Sequence, residues 1–260
     1  MTTEHMKQAK KNGCQDCRRA GYDDVLTMAF QPIVDIRHNA LFAYEALVRG
    51  PNGESAGSVI QAVPDDAVYG FDQACRVTAI EQAARLGMGA ASCALSINFM
   101  PNAVYEPVAC IQKTLQVAAR VGYPTDRLIF EITESEAVTD PDHLAKIVHA
   151  YRAMGFRTAL DDFGSGHSNL SLLAQFRPDI IKIDMMLIRG IDHDRDRQNL
   201  MRHCMGICSD FGIDLIAEGI ETRAEFETLQ SLGVRLMQGY FLARPGWQIL
   251  PVPDFGKFKR

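Results

Sequence analysis

The chain has 260 residues, 47% of them hydrophobic and 23% charged, with a formal net charge of −5 at pH 7. That composition fits one compact domain with a sizeable core, and the acidic balance argues against a general binder of nucleic acid or membrane surfaces, which usually carries a basic excess. No window approaches the ~18 consecutive apolar residues of a membrane span, and the start MTTEHMKQAKKNG lacks a signal-peptide core, so the sequence reads as cytoplasmic.

Residues 1–22 read as an N-terminal extension. It holds Cys14-Gln-Asp-Cys17, the one close CxxC among seven cysteines. A structural zinc site usually needs a second such pair, so a flexible extension is expected, with metal or redox work by Cys14 and Cys17 as the alternative. Reduced thiols are expected throughout; Cys204 and Cys208, beside His203 at helical spacing, read as core filler.

From residue 28 onward, short β-rich runs alternate with longer runs of helical period. Candidate strands are 28–34, 42–48, 94–99, 128–133, 158–163, 180–185, 214–220 and 235–241. The first two are separated by IRHNALF, too short for a helix, so they should pair antiparallel. Helices are expected near 71–86, 107–121, 141–154, 168–175, 195–211 and 222–232. Eight strands with outer helices predict an α/β fold, a modified TIM (β/α)8 barrel with an antiparallel first strand, over 23–250. Residues 246–260, with Pro251 and Pro253, read as irregular, and 251–260 as a C-terminal tail.

Polar residues interrupt these apolar strands at Glu45, Asn98, Glu131, Asp161, Asp162, Lys182, Glu218 and Gln238. A TIM barrel gathers the C-terminal ends of its strands at one mouth, where such residues meet. Two carboxylates about 5 Å apart repel by about 3 kcal/mol at an effective dielectric of ~20, so a cluster of them needs a cation. Carboxylates and an amide suit Mg²⁺ or Mn²⁺ rather than zinc. The adjacent Asp161 and Asp162 could bridge two ions, the arrangement that serves in-line phosphoryl displacement. Lys182 needs carboxylates or phosphate at the mouth, or a salt bridge to Asp184 or a neighbouring acid.

The same residues carry a resemblance to the EAL phosphodiesterase family, with Tyr44-Glu45-Ala46-Leu47-Val48-Arg49 as its signature. The match runs through QPIVD, SINF, FEITES, DDFGSG, IKID, AEGIET and QGYFLARP, over about 28–245. The resemblance implies hydrolysis of cyclic di-GMP to linear pGpG. It implies that Glu45, Asn98, Glu131 and Asp161 hold one metal, and that Asp161 with Asp162 helps hold a second. Glu218 would be the general base, with Glu45 also in the catalytic set, and Lys182 would contact the metal-bound water or the phosphate. Arg49, Gln31, Leu47 and Gln238 would contact substrate or support the site. Glu134 would steady the loop FGSGHSNLS after Asp162, in which His167 stands where the family usually has Tyr. FDQACRV and SINFMPNAVYEP look most similar to EAL domains that follow BLUF-type sensory modules. A homodimer is implied, and Ca²⁺ is an expected inhibitor because it prefers looser, higher coordination than Mg²⁺. The rival reading is a degenerate EAL domain that binds cyclic di-GMP without cutting it.

Overall fold

The computed structural model describes residues 25–90, 93–104, 106–133, 141–164, 173 and 176–258. Expectations for Cys14, Cys17, Glu134, His167 and nearly all of the 168–175 helix lie outside the described residues.

The fold opens with a hairpin of β1 (Thr27–Asp35) and β2 (Ala40–Arg49), antiparallel as expected, with Gln31 opposite Glu45. Asp35 Oδ1 accepts the backbone N–H groups of Arg37 and His38 at 3.0 Å each, and Asn39 takes a left-handed φ of 48°. A short polar side chain tolerates that conformation, which lets the chain reverse. The next six strands follow in parallel order: β3 (Ala94–Phe99), β4 (Leu128–Thr133), β5 (Arg157–Phe163), β6 (Ile180–Ile183), β7 (Asp214–Ala217) and β8 (Leu236–Met237). β8 pairs antiparallel with β1 and closes the barrel.

Two of the outer helices show the local signals most plainly, each with one apolar face and a stop. The helix Arg195–Phe211 ends at Gly212 and the helix Arg223–Leu232 at Gly233, both left-handed, and Thr222 with Glu225 forms a capping box at the start of the latter. These are the glycine stop and the reciprocal cap in their usual places. Phe99, Phe130, Tyr151 and Phe156 interlock between barrel and helices, with ring centroids 5.1–5.9 Å apart. No helix among the described residues is long and apolar enough to cross a membrane.

Inside the barrel each strand contributes one apolar residue to a single buried plug: Ile33, Ala43, Ala94, Ile129, Ala159, Ile180, Ile216 and Leu236. Strand side chains repeat on one face every two residues. Two positions nearer the mouth stand Gln31, Glu45, Ser96, Glu131, Asp161, Lys182, Glu218 and Gln238. The apolar floor and the polar layer above it are thus adjacent steps of one alternation.

Several boundaries differ from expectation. β6, β7 and β8 stop before Asp184, Glu218 and Gln238, because these residues turn out of the ladder toward the mouth; their N–H groups still reach Phe163 O, Ile183 O and Ala217 O at 3.1, 3.1 and 2.9 Å. The expected helix 107–121 is two, Pro107–Cys110 and Gln112–Val121. Short helices at Ala56–Gln61 and Met185–Ile188 were not expected. Nor is 246–258 wholly irregular. Gly246–Trp247 forms β9 on β1, the Trp247 indole donates to Thr27 Oγ1 at 2.9 Å, and buried Phe258 stacks 5.3 Å from Phe226. Proline content signals irregularity, but large aromatic area still finds a place to bury.

Candidate active site at the barrel mouth

Lys182 Nζ stands at the centre of the polar layer with the residue only 1% exposed. It lies 2.8 Å from Glu218 Oε1, 2.9 Å from Glu131 Oε2, 3.0 Å from Asp161 Oδ1 and 3.6 Å from Glu45 Oε1. A salt bridge to Asp184 is not what the structure shows. Asp184 lies past the end of β6 and its carboxylate instead accepts Met186 N at 2.8 Å, capping the turn that follows.

Around this centre the expected residues are tied to one another. Gln238 Nε2 donates to Glu45 Oε2 at 2.6 Å and approaches Gln31 Oε1 at 3.3 Å. Asn98 Nδ2 donates to the other Glu45 oxygen at 3.3 Å. Ser96, absent from the expected set, donates its hydroxyl to Glu131 Oε1 at 2.5 Å. Its place was written in the period of two running from Ala94, but a serine in a buried strand does not announce itself as charge does.

Asp161 and Asp162 both serve the mouth because β5 bulges. Leu160 pairs with Ile181 and Phe163 with Ile183, so β5 has one residue more than β6 across that interval, and Asp162 has a left-handed φ of 56°. A bulge of this kind re-aims a side chain that strict alternation would turn away. Two groups of acids result, Glu45–Glu131–Asp161 and Asp161–Asp162–Glu218, each with ligand atoms within 4.8 Å of one another and with Asp161 in common.

Glycines bring the last two strand ends close. A Cβ on Gly219, which follows Glu218 at φ 66°, would sit 2.4 Å from Met185 Cβ, and one on Gly239, which follows Gln238, would sit 2.1 Å from Ile220 O. The cleft above the acids is lined in part by Asp184, Met185, Arg189, Glu221 and Tyr240, none of them in the expected set. Arg49 and Leu47 share the inward face of β2 with Glu45 but stand farther out and are half-buried; the Arg49 guanidinium donates to Val48 O at 2.7 Å.

The electrostatics follow from one ammonium facing several acids. Burial holds the Glu131 and Glu218 carboxyls above the usual range, with Lys182 opposing and the neighbouring acids adding to the rise. Asp162 is pushed up to about 6, by burial first and then by Asp161 and Asp184. Lys182 is held above its ordinary value, because Asp161, Glu131, Glu218 and Glu45 together outweigh the burial of its charge. Asp161 Oδ1 is buried without an aligned hydrogen bond despite its nearness to Lys182 Nζ. Excess negative charge, an oxygen-only donor set and a buried carboxylate oxygen with no hydrogen-bond partner fit a hard divalent cation.

A family model described as EAL domain matches residues 15–245. A cyclic di-GMP-bound structure of a standalone EAL protein from Vibrio cholerae O395 is 50% identical and superposes with a TM-score of 0.86, covering 92% of this chain and 99% of that one. Klebsiella pneumoniae BlrP1, in a manganese and cyclic di-GMP complex, is 34% identical with a TM-score of 0.81, over 86% of this chain and 56% of its own. The blue light- and temperature-regulated antirepressor BluF of Escherichia coli is 31% identical over 217 residues, and this chain spans about half of it, 53%. With the match running through nearly the whole chain and across every polar strand residue described above, the chain belongs to the EAL domain family.

Proposed function

We propose that this chain is a metal-dependent phosphodiesterase that hydrolyses cyclic di-GMP to linear pGpG. The observation that carries this reading is the pair of acid groups joined at Asp161 around a buried lysine. Glu45, Asn98, Glu131 and Asp161 would hold one Mg²⁺ or Mn²⁺, and Asp161 with Asp162 would help hold a second, with Glu218 beside them. When bound, such ions make a water acidic enough to attack near neutral pH and neutralise charge developing on the phosphate.

Glu218 takes the proton of the attacking water, a role suited to a carboxylate whose proton affinity is raised by burial. Water oxygen bonds to phosphorus as the bond from phosphorus to the 3′ oxygen breaks, and the 3′ oxygen takes a proton from solvent to leave as the hydroxyl of pGpG. Lys182 stabilises the charge on the phosphate oxygens, and Gln238 with Gln31 fixes the rotamer of Glu45. Arg49 releases its own strand carbonyl to hold phosphate with its planar fork, and Leu47 provides apolar contact beside it. The reading includes a cytoplasmic homodimer, checked by light scattering of the purified protein.

Support also comes from the relatives, among them the probable cyclic di-GMP phosphodiesterase PdeD of Escherichia coli, 35% identical over 137 residues. The test is incubation with cyclic di-GMP and Mg²⁺ or Mn²⁺, with a chelator control, following pGpG. Metal-dependent turnover is expected, and excess Ca²⁺ should suppress it. Tight binding with no turnover under either metal would assign the chain to the receptor class instead.

A further inference from the structure

A second buried polar assembly lies outside the mouth, on the helix Val68–Arg85. Arg76 is 0% exposed and Asp72 3%, and Arg76 Nη2 meets Asp72 Oδ2 at 2.6 Å, one helical turn apart. The other Asp72 oxygen, Oδ1, accepts the backbone N–H of Met100 at 3.0 Å. Next along the helix, buried Gln73 donates to Cys110 O at 2.8 Å. Arg76 Nε and Nη1 are buried with no hydrogen-bond partner among the described residues.

Such a pair is a poor device for stability. Removing two charges from water costs more than their attraction returns unless every hydrogen bond is satisfied, and well-packed apolar residues of equal volume are often as stable or more so. What an apolar pair cannot do is hold the Met100 N–H. β3 makes its last pairing to β4 at Phe99, and Met100 stands immediately beyond it, two residues from Asn98. The backbone of Asn98 lies one pairing from the end of the ladder, and its side-chain amide is tied by one long hydrogen bond, 3.3 Å, to Glu45. Its position therefore depends on how the strand end is fixed.

We propose that Asp72 and Arg76 are positioning residues that lock the β3 terminus and so hold the Asn98 amide in the metal-binding set. The proposal rests on the phosphodiesterase reading for its kinetic consequence but not for its metal-binding one. Arg76 orients Asp72, Asp72 holds Met100, and Met100 fixes the backbone that carries Asn98.

Two double variants separate this role from mere packing. D72L/R76M removes the charge pair and the Met100 acceptor while keeping volume; D72N/R76M removes the pair but retains an acceptor oxygen. D72L/R76M is expected to unfold at or near the wild-type temperature yet to bind Mn²⁺ ~10–100-fold more weakly and to lose a similar factor in kcat, the range seen when groups orienting metal ligands are removed. KM should move little, and D72N/R76M should recover most of both losses. The effect of D72L/R76M should largely vanish in an N98A background, since both changes act on one ligand. Unchanged Mn²⁺ affinity in D72L/R76M, or equal losses in the two double variants, overturns the proposal. Hydrogen exchange of the Met100 amide in the wild-type chain gives a check that needs no folded variant: strong protection is expected, and exchange at open-loop rates also overturns it. A wild-type protein that binds Mn²⁺ but does not cleave cyclic di-GMP sinks the phosphodiesterase reading alone.

Discussion

Lys182 carries a charge into a run of isoleucines, and it is tolerated there because Glu45, Glu131, Asp161 and Glu218 all lie within 3.6 Å of its nitrogen. The acids need it equally, since without another cation it is the charge that offsets their repulsion. Lys182→Met should therefore lower the stability of the metal-free protein by about 3–5 kcal/mol, the cost of leaving buried charge uncompensated. Adding Mn²⁺ should restore more of the melting temperature in the variant than it adds to wild type; equal gains in both would show that the lysine does not neutralise the site. On the two-metal reading, Glu45→Ala and Asp161→Ala should each lower kcat by more than about 100-fold while circular dichroism stays near wild type, because the residues proposed as direct ligands should matter at least as much as the groups that orient them. At this scale the charged members of the site were legible, since each breaks an apolar strand. Ser96 was not, because a small hydroxyl among isoleucine and leucine looks like any strand residue until its partner, Glu131, is placed beside it.

Among elements, β5 and the turn after β7 do the placing. The bulge that lets Asp161 and Asp162 face one way depends on a residue that tolerates a left-handed φ, and Asp does so better than most. Asp162→Asn should keep this backbone and lose the charge, whereas Asp162→Val should also strain the strand. Gly219 has less freedom still. Gly219→Ala meets Met185 at an impossible distance in a backbone that disfavours any Cβ, and should cost about 1–3 kcal/mol in urea unfolding together with a fall in turnover as Glu218 tilts. No loss of stability would mean that the chain relaxes there freely. Strand positions were readable from hydrophobic period, and β3 and β4 match expectation at both ends. The ends of β6 to β8 were not, because periodicity shows where apolar residues lie and not where a polar one leaves the ladder to face a cleft. The bulge was equally hidden, since two adjacent acids at a strand end read alike whether one or both turn inward.

For the molecule as a whole, pH and metal are coupled through these acids. Glu131, Glu218 and Asp162 have folded-state pKa values above their unfolded ones, Asp162 at about 6, so the native state holds extra protons above the ordinary carboxylate range. Metal-free stability should accordingly fall as pH rises from about 5 to about 8, by up to ~1.4 kcal/mol per unit for each proton held. Lys182 adds no slope in this window: its raised pKa contributes stability throughout it, and that contribution too is lost as pH rises, but only well above it. Divalent cations displace the extra protons, so added Mn²⁺ should flatten or reverse the decline, as urea midpoints measured with chelator or with Mn²⁺ would reveal. A chelated protein whose midpoint rises with pH would contradict these shifts. The closed barrel was foreseeable from eight strands and seven connections, but the apolar plug one step beneath the acids became visible only once strand registers were fixed. That floor has a kinetic consequence. Ile33, Ile129, Ile180 and their neighbours close the lower end of the barrel, so among the described residues the acids face the mouth alone. On the phosphodiesterase reading, a cation on the acids would lie beneath the dinucleotide, between it and the apolar floor. Saturating cyclic di-GMP should then slow the exchange of bound Mn²⁺ with chelator, and exchange unaffected by the dinucleotide would contradict this stacking.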